Sequence, residues 1–277
     1  MVQEFSVMKK SKILFLYSIE NEDYFKDGLW AAIELLKKDF NITKHNLHNG
    51  PPPDKIAHES DFLLGWGAFG SPADNYVKDH FRSHPRYKKG LCIAGNAISP
   101  QNIDAYDILF YETEWYAPQI SSHKNIIHAF GVNTDIFKPN PDAPKLWDFL
   151  TVGAFATWKR QALICAKFGS RMAIGEIQKD NIGESVGIVG KLIISGCGVS
   201  DMVKPEVLVN FYNAARTVYI PADINGGGER AVLEARACGI PVEIEVDNFK
   251  LKELLTSSIW DQKYYAKQLK KGILSCL

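Results

Sequence analysis

Short apolar runs alternate with stretches of helical periodicity along most of this chain. Lys12–Tyr17 is an apolar, aromatic run suited to a strand buried on both faces. Phe25, Leu29, Ile33, Leu36 and Phe40 then recur at helical spacing, which predicts an amphipathic helix over about 24–38. After Pro51-Pro52-Pro53, the segments Asp61–Gly65, Gly90–Ala94, Asp107–Tyr111 and Asn125–Ala129 read as further short strands separated by helix-length intervals. Strands alternating with helices predict a parallel sheet with helices on both faces.

Lys138–Pro144 holds three prolines in seven residues and fits neither element type. It reads as a linker, after which the pattern restarts. Trp147–Val152 is a strand, Lys159–Phe168 a helix and Met172–Ile174 a strand, with Val186–Ile194 a further strand region broken at Gly190. Pro205–Ala215 is a helix opened by proline. Thr217–Ile220 is a strand, and Glu229–Cys238 is a helix closed by Gly239 and Pro241. A last helix runs from about Trp260 to Gly272. The expectation is two similar α/β halves, a first domain over 1–137 and a second over 145–258.

Composition narrows the function. At 277 residues and 46% hydrophobic, the chain can bury a sizeable core, which excludes disorder. Lys plus Arg and Asp plus Glu both number 32, so no basic excess favours phosphate-tracking nucleic-acid binding. The five cysteines form no C-x-x-C pair, so neither a zinc ribbon nor a disulfide framework is indicated. All seven histidines fall between His45 and His128, which excludes histidine-based metal or triad chemistry built wholly from the second half. No apolar run approaches the roughly 18 residues of a spanning helix, and no signal-peptide core precedes Lys9, Lys10 and Lys12. A cytoplasmic protein without a metal is expected.

The densest chemistry lies in Pro221–Pro241. A strand is followed by Gly226-Gly227-Gly228 and then by a helix carrying Glu229, Arg230, Ala231 and Glu234. Glycines let a ligand approach the backbone, and the free amides of Glu229–Ala231 at the helix start favour a phosphate. The glycines alone do not separate this from a flexible turn ahead of a surface helix. In the first half, Glu112 and Glu114 follow a strand and could reach a cleft at its carboxyl end, as could Asn96. Each also fits a loop residue facing water. His128 reads as a packed histidine. Trp66, Phe69, Trp115 and Tyr116 could line an acceptor cleft, although aromatics in such numbers more often build core.

Val232-Leu-Glu-Ala and Ala237-Cys-Gly-Ile-Pro-Val242 resemble the donor-site signature of retaining GT-B glycosyltransferases of the family 4 kind. Phe130–Pro139 resembles that family's Gly-Val-Asp-x-x-x-Phe-x-Pro, and Phe149–Arg160 its Val-Gly-Arg-Leu-x-x-x-Lys-Gly. Leu208–Ala215 resembles the helix before the donor loop. Together these cover about 126–242. The resemblance implies two Rossmann-like domains facing across a cleft, with a helix over 259–277 crossing back onto the first. It also implies a nucleoside-diphosphate sugar donor held by Gly153, Lys159, Gly226–Gly228, Glu229, Arg230, Ala231 and Glu234. Glu234 matches the second glutamate of the family's Glu-x7-Glu pair, which binds the ribose. Lys159 matches the lysine that neutralises the leaving diphosphate. The first glutamate is replaced by Gly226, leaving Glu229 as the carboxylate that could reach inward as a catalytic group. The family arginine is Ala154 here, with Arg160 as its substitute. The histidine expected near the sugar is absent from Leu64-Gly-Trp-Gly67.

The activity implied is glycosyl transfer with retention of configuration to a glycan or small-molecule acceptor, with a modified nucleic-acid base as a variant. A non-catalytic nucleotide- or glycan-binding protein, or a partner of an active subunit, is the alternative that Gly226 favours.

Overall fold

The computed structural model describes residues 10–24, 27–79, 87–94 and 102–277. Phe25 of the expected first helix and Asn96 of the candidate cleft residues lie outside these.

The first half comprises β1 (Lys12–Tyr17), α1 (Gly28–Leu36), β2 (Asn41–Asn46), α2 (Asp54–Glu59), β3 (Phe62–Gly67), α3 (Pro72–Asp79), β4 (Lys88–Ile93), β5 (Ile108–Tyr111) and β6 (Ile126–His128). Its six strands form a parallel sheet in the order β2-β1-β3-β4-β5-β6. The second half comprises β7 (Trp147–Val152), β8 (Arg171–Gly175), α4 (Ile182–Ile194), β9 (Gly198–Asp201), α5 (Pro205–Ala214), β10 (Ala215–Ile220), α6 (Glu229–Ala237), β11 (Val242–Ile244), α7 (Phe249–Thr256) and α8 (Gln262–Cys276). Its five strands, also parallel, run β11-β10-β7-β8-β9. Each sheet has a switch point, between β1 and β3 in the first and between β7 and β10 in the second. Chain direction away from the sheet reverses there, which opens a crevice at the strands' carboxyl ends.

Burial explains the central strands. Ile13 to Tyr17 are all at most 2% exposed, as a strand covered on both faces requires. Asp27 starts α1, its side chain accepting from the amides of Leu29 and Trp30. The helix therefore begins four residues later than its apolar spacing predicts. Asp261 caps α8 in the same way, at 2.7 Å from the Tyr264 amide. Gly272 lets α8 lie close on the first sheet: a Cβ there would sit 2.5 Å from Ile108 and Phe110 side-chain atoms. The proline segment is strapped to the end of α5, with Asn213 bonded to the Asn140 amide at 2.7 Å and the Lys138 carbonyl at 3.1 Å.

Two of the expected elements change type. Val186–Ile194 is not a strand but the later part of α4. Ser185, Ile188 and Leu192 are buried at helical spacing, while Ile182, Val186, Ile193 and Ile194 stay exposed. Lys159–Phe168 is not an α-helix. It forms 3-10 turns over Thr157–Lys159 and Gln161–Ala166, separated by Arg160 in the left-handed conformation at φ 48°. Among the described residues no helix is long and apolar enough to cross a membrane.

Candidate functional site

A cavity of about 490 Å³ lies between the carboxyl ends of the two sheets. This volume suits a small-molecule ligand. The ends of all four switch-point strands reach it: Ser18 and Ile19 beyond β1, Trp66 and Gly67 of β3, Val152 and Gly153 at β7, and Gly227–Glu229 beyond β10. The position follows from topology, since both reversals open toward the same space.

The floor on the second-domain side is a glycine turn running into α6. Gly227 and Gly228 hold φ of 65° and 113°, which side chains disfavour. Gly228 is the N-cap and offers no side chain, so the first-turn amides of Glu229, Arg230 and Ala231 have no acceptor within the helix. Their dipoles point where an anion would bind. Lys159 enters the cavity from the 3-10 turn after β7, its stem alongside Gly153. Desolvation pushes its ammonium down to about 8, with the Glu229 carboxylate opposing that shift. Glu234 lies in the second turn of α6, buried, and accepts from the Tyr212 hydroxyl at 2.9 Å. Its burial raises the carboxyl to about 7 against the pull of Arg230.

Gly153, Lys159, Gly227, Gly228, Glu229, Arg230, Ala231 and Glu234 thus line one cavity. Two residues expected with them do not. Arg160 turns to Asp247, 2.7 Å away, because its left-handed backbone directs it off the cleft. Gly226 packs under the loop: a Cβ there would lie 2.2 Å from the Trp158 carbonyl oxygen and 2.7 Å from the Ala222 methyl. No side chain, glutamate included, fits that position without moving backbone.

Glu229 is 5% exposed and held from behind. Lys250 of α7, with 0% exposure, places Nζ 2.9 Å from Glu229 Oε1. The Tyr116 hydroxyl of the first domain donates to the same oxygen at 3.2 Å. The Lys250 ammonium lies 5.3 Å and 5.7 Å from the Trp115 and Tyr116 ring centres, a cation–π arrangement. These two aromatics therefore grip Lys250 at the domain junction rather than line a cleft. Phe69 lies against Lys78. Of the four aromatics considered, Trp66 reaches the cavity.

Arg230 joins the halves at the cavity wall, its Nη1 2.6 Å from Asp27 Oδ2 while Asp27 Oδ1 caps α1. Glu112 lines the cavity from the end of β5, whereas Glu114 is exposed and bonds Tyr111 at 3.1 Å. His128 is packed, as its sequence context suggests, between the Tyr264 hydroxyl at 3.0 Å and the Glu112 carbonyl at 3.0 Å. Sequence reasoning missed Asp27 and Lys250. Asp27 carried a signal, an acidic N-cap directly before an apolar helix. Lys250 carried only its i,i+4 relation to buried Leu254. Among the described residues no group of three or more His, Cys, Asp or Glu side chains is arranged to hold a metal ion.

No protein-family profile matches the sequence, and no curated protein matches it in sequence. Solved structures do match in shape. Anabaena HepE, crystallised with UDP and glucose, superposes with a TM-score of 0.67 at 12% identity, over 96% of this chain and 100% of that one. Sucrose-phosphate synthase from Thermosynechococcus elongatus gives 0.63 at 14% identity, over 96% and 90%. A putative UDP-N-acetylglucosamine 2-epimerase from Listeria monocytogenes gives 0.55 at 12%, over 95% and 88%. Two parallel-sheet α/β domains, switch points facing one cavity and this likeness together show that the chain has the GT-B fold.

Proposed function

We propose that the protein is a glycosyltransferase that takes a sugar from a nucleoside diphosphate and transfers it, with retention of configuration, to an acceptor entering from the first domain. The carrying observation is the convergence of the Gly227–Gly228 turn, the α6 amides, Lys159 and Glu234 on one cavity. In this reading Glu234 accepts the ribose hydroxyls, and the turn and amides hold the diphosphate. Lys159 offsets charge that grows on the departing phosphate, a contribution larger in the transition state than in the ground state. Glu229, oriented by Lys250 and Tyr116, faces the sugar. Its position at the start of α6, three residues beyond Gly226 across the glycine turn, lets it stand in for the glutamate that Gly226 has no room for.

The Anabaena structure holds UDP and glucose, which supports uridine diphosphate sugars as the first donors to try. The fold alone does not separate transfer from epimerisation, since both occur among its structural relatives. Incubation with a panel of nucleoside-diphosphate sugars, followed by chromatography of nucleotide and sugar, tests the reading. Release of free nucleoside diphosphate is expected. A sugar nucleotide returned intact but isomerised would replace transfer by epimerisation, and no turnover of any donor would sink the enzyme reading.

A further inference from the structure

We propose that Ser18–Tyr24 is a charged strap across the mouth of the cavity, and that its release sets the rate at which nucleotide leaves. The proposal rests on the donor reading above for its nucleotide probe. The segment follows β1, and Ser18, Ile19 and Tyr24 line the cavity from the first-domain side. Glu20 and Asp23 lie between them and reach across to the second domain. Glu20 pairs with Lys179, ahead of α4, and Asp23 pairs with Lys204 at 2.5 Å, directly before α5. Neighbours of both lysines line the same cavity, Glu176 on one side and Val203 and Pro205 on the other. The two ion pairs therefore tie one wall of the cavity to the other.

The strap is firm at its root and weakly held at its tip. Asn46, buried at the end of β2, accepts from the Ile19 amide at 3.1 Å and donates to the Ile19 carbonyl at 2.7 Å. It also donates to the Glu22 carboxylate at 3.1 Å. Glu22–Tyr24 forms a single 3-10 turn with no buried residue, and the Asn21 side chain accepts from the Asp23 amide at 3.1 Å. The charged side chains that fasten this tip are open to water. Glu20 and Lys179 are 52% and 73% exposed, and Asp23 and Lys204 are 51% and 50% exposed. They lie where the cavity meets solvent, and pairs of that kind are individually weak and screened by salt. Asp27, buried and tied to both α1 and Arg230, forms a separate and stronger link. Lifting the tip breaks two weak pairs and uncovers no buried side chain of the turn, so it is a low-cost way to open this wall.

A strap and a bare charge effect on an anionic nucleotide make opposite predictions. Without a strap, removing the two carboxylates slows the departure of a nucleoside diphosphate and removing the two lysines speeds it. With a strap, losing either side of the pairs speeds departure equally, since the same contacts are lost.

Dissociation of methylanthraniloyl-labelled UDP is followed by stopped flow in about 20 mM and about 500 mM sodium chloride, which moves the screening length from well above to well below 10 Å. The proteins compared are the wild type, Glu20→Gln/Asp23→Asn, Lys179→Met/Lys204→Met and the quadruple variant. At low salt each double variant should release the nucleotide roughly 2- to 30-fold faster than the wild type, the factor that two exposed pairs of ordinary strength give. The quadruple variant should be no faster than either double variant. At high salt all four rates should converge. Responses of opposite sign in the two double variants, or rates equal to the wild type at low salt, overturn the proposal. Hydrogen exchange of peptides covering 18–24 gives a second readout in protein without nucleotide. It should quicken in every variant at low salt and match the wild type at high salt, and unchanged exchange also overturns the proposal. A wild type that binds no labelled UDP sinks the donor reading instead, and the exchange measurement then decides the strap by itself.

Discussion

Lys250→Met should be the most destabilising single substitution at the domain junction. The methionine keeps most of the lysine stem's volume, so the perturbation is electrostatic rather than a cavity. Lys250 is 0% exposed and Glu229 is 5% exposed, with the charged atoms 2.9 Å apart. Removing the cation leaves Glu229 a buried carboxylate whose hydrogen-bond donor among the described residues is the Tyr116 hydroxyl at 3.2 Å, with Lys159 as a more distant charge. Breaking a buried pair from one side costs about 3–5 kcal/mol, with the lost cation–π contacts to Trp115 and Tyr116 adding up to about 2 kcal/mol. This is a large share of the roughly 5–15 kcal/mol that holds a domain folded. Urea unfolding followed by tryptophan fluorescence measures it. The double variant Lys250→Met/Glu229→Gln removes both charges and should regain most of the loss, since an uncharged pair has no unmatched ion to bury. A single-variant cost below about 1 kcal/mol, or a double variant no more stable than the single, would refute the reasoning.

Glu234 carries a pH signature. Burial raises its folded-state carboxyl to about 7, above the unfolded value, so the protonated form is favoured in the fold. Its contribution is fully present below the unfolded pKa near 4 and is lost as pH rises through about 7. Glu234→Gln should therefore unfold at higher urea than the wild type at pH 8, and the difference should shrink toward pH 5. At Gly226, alanine should destabilise and glutamate should destabilise at least as much without raising turnover, since the Cβ meets the Trp158 carbonyl oxygen at 2.2 Å; thermal melts and UDP-glucose turnover check both. Asp27→Asn keeps an N-cap but removes the Arg230 ion pair, whereas Asp27→Ala removes both. Alanine should cost about 1 kcal/mol more than asparagine in urea unfolding, the usual worth of the cap.

The α/β class was legible because strands such as Ile13–Tyr17, buried on both faces, leave continuous apolar runs. α4 was not. Its three buried positions are outnumbered by exposed Ile182, Val186, Ile193 and Ile194, and β-branched residues without a polar face look like strand. β2, Asn41–Asn46, escaped notice because an edge strand only partly buried carries little alternation. In the cavity, Gly227–Glu234 could be read locally, as a turn and the helix it starts. Lys159 emerged through resemblance, since 3-10 turns leave no periodicity. Asp27, Tyr116 and Lys250 belong to three separate segments. Packing of α7 on α6 brings Lys250 to Glu229, and the closing of one sheet against the other brings Asp27 to Arg230 and Tyr116 to Glu229; no local pattern encodes either meeting.

Calorimetric titration of UDP into the wild type and Glu234→Ala tests the donor-site assignment most directly. Hydrogen bonds to a charged group contribute about 1.5–3 kcal/mol. The account therefore predicts measurable UDP binding by the wild type and a loss of roughly 10- to 150-fold in Glu234→Ala, with the fold retained. Equal UDP affinity in the two proteins, or no binding by the wild type, would contradict it.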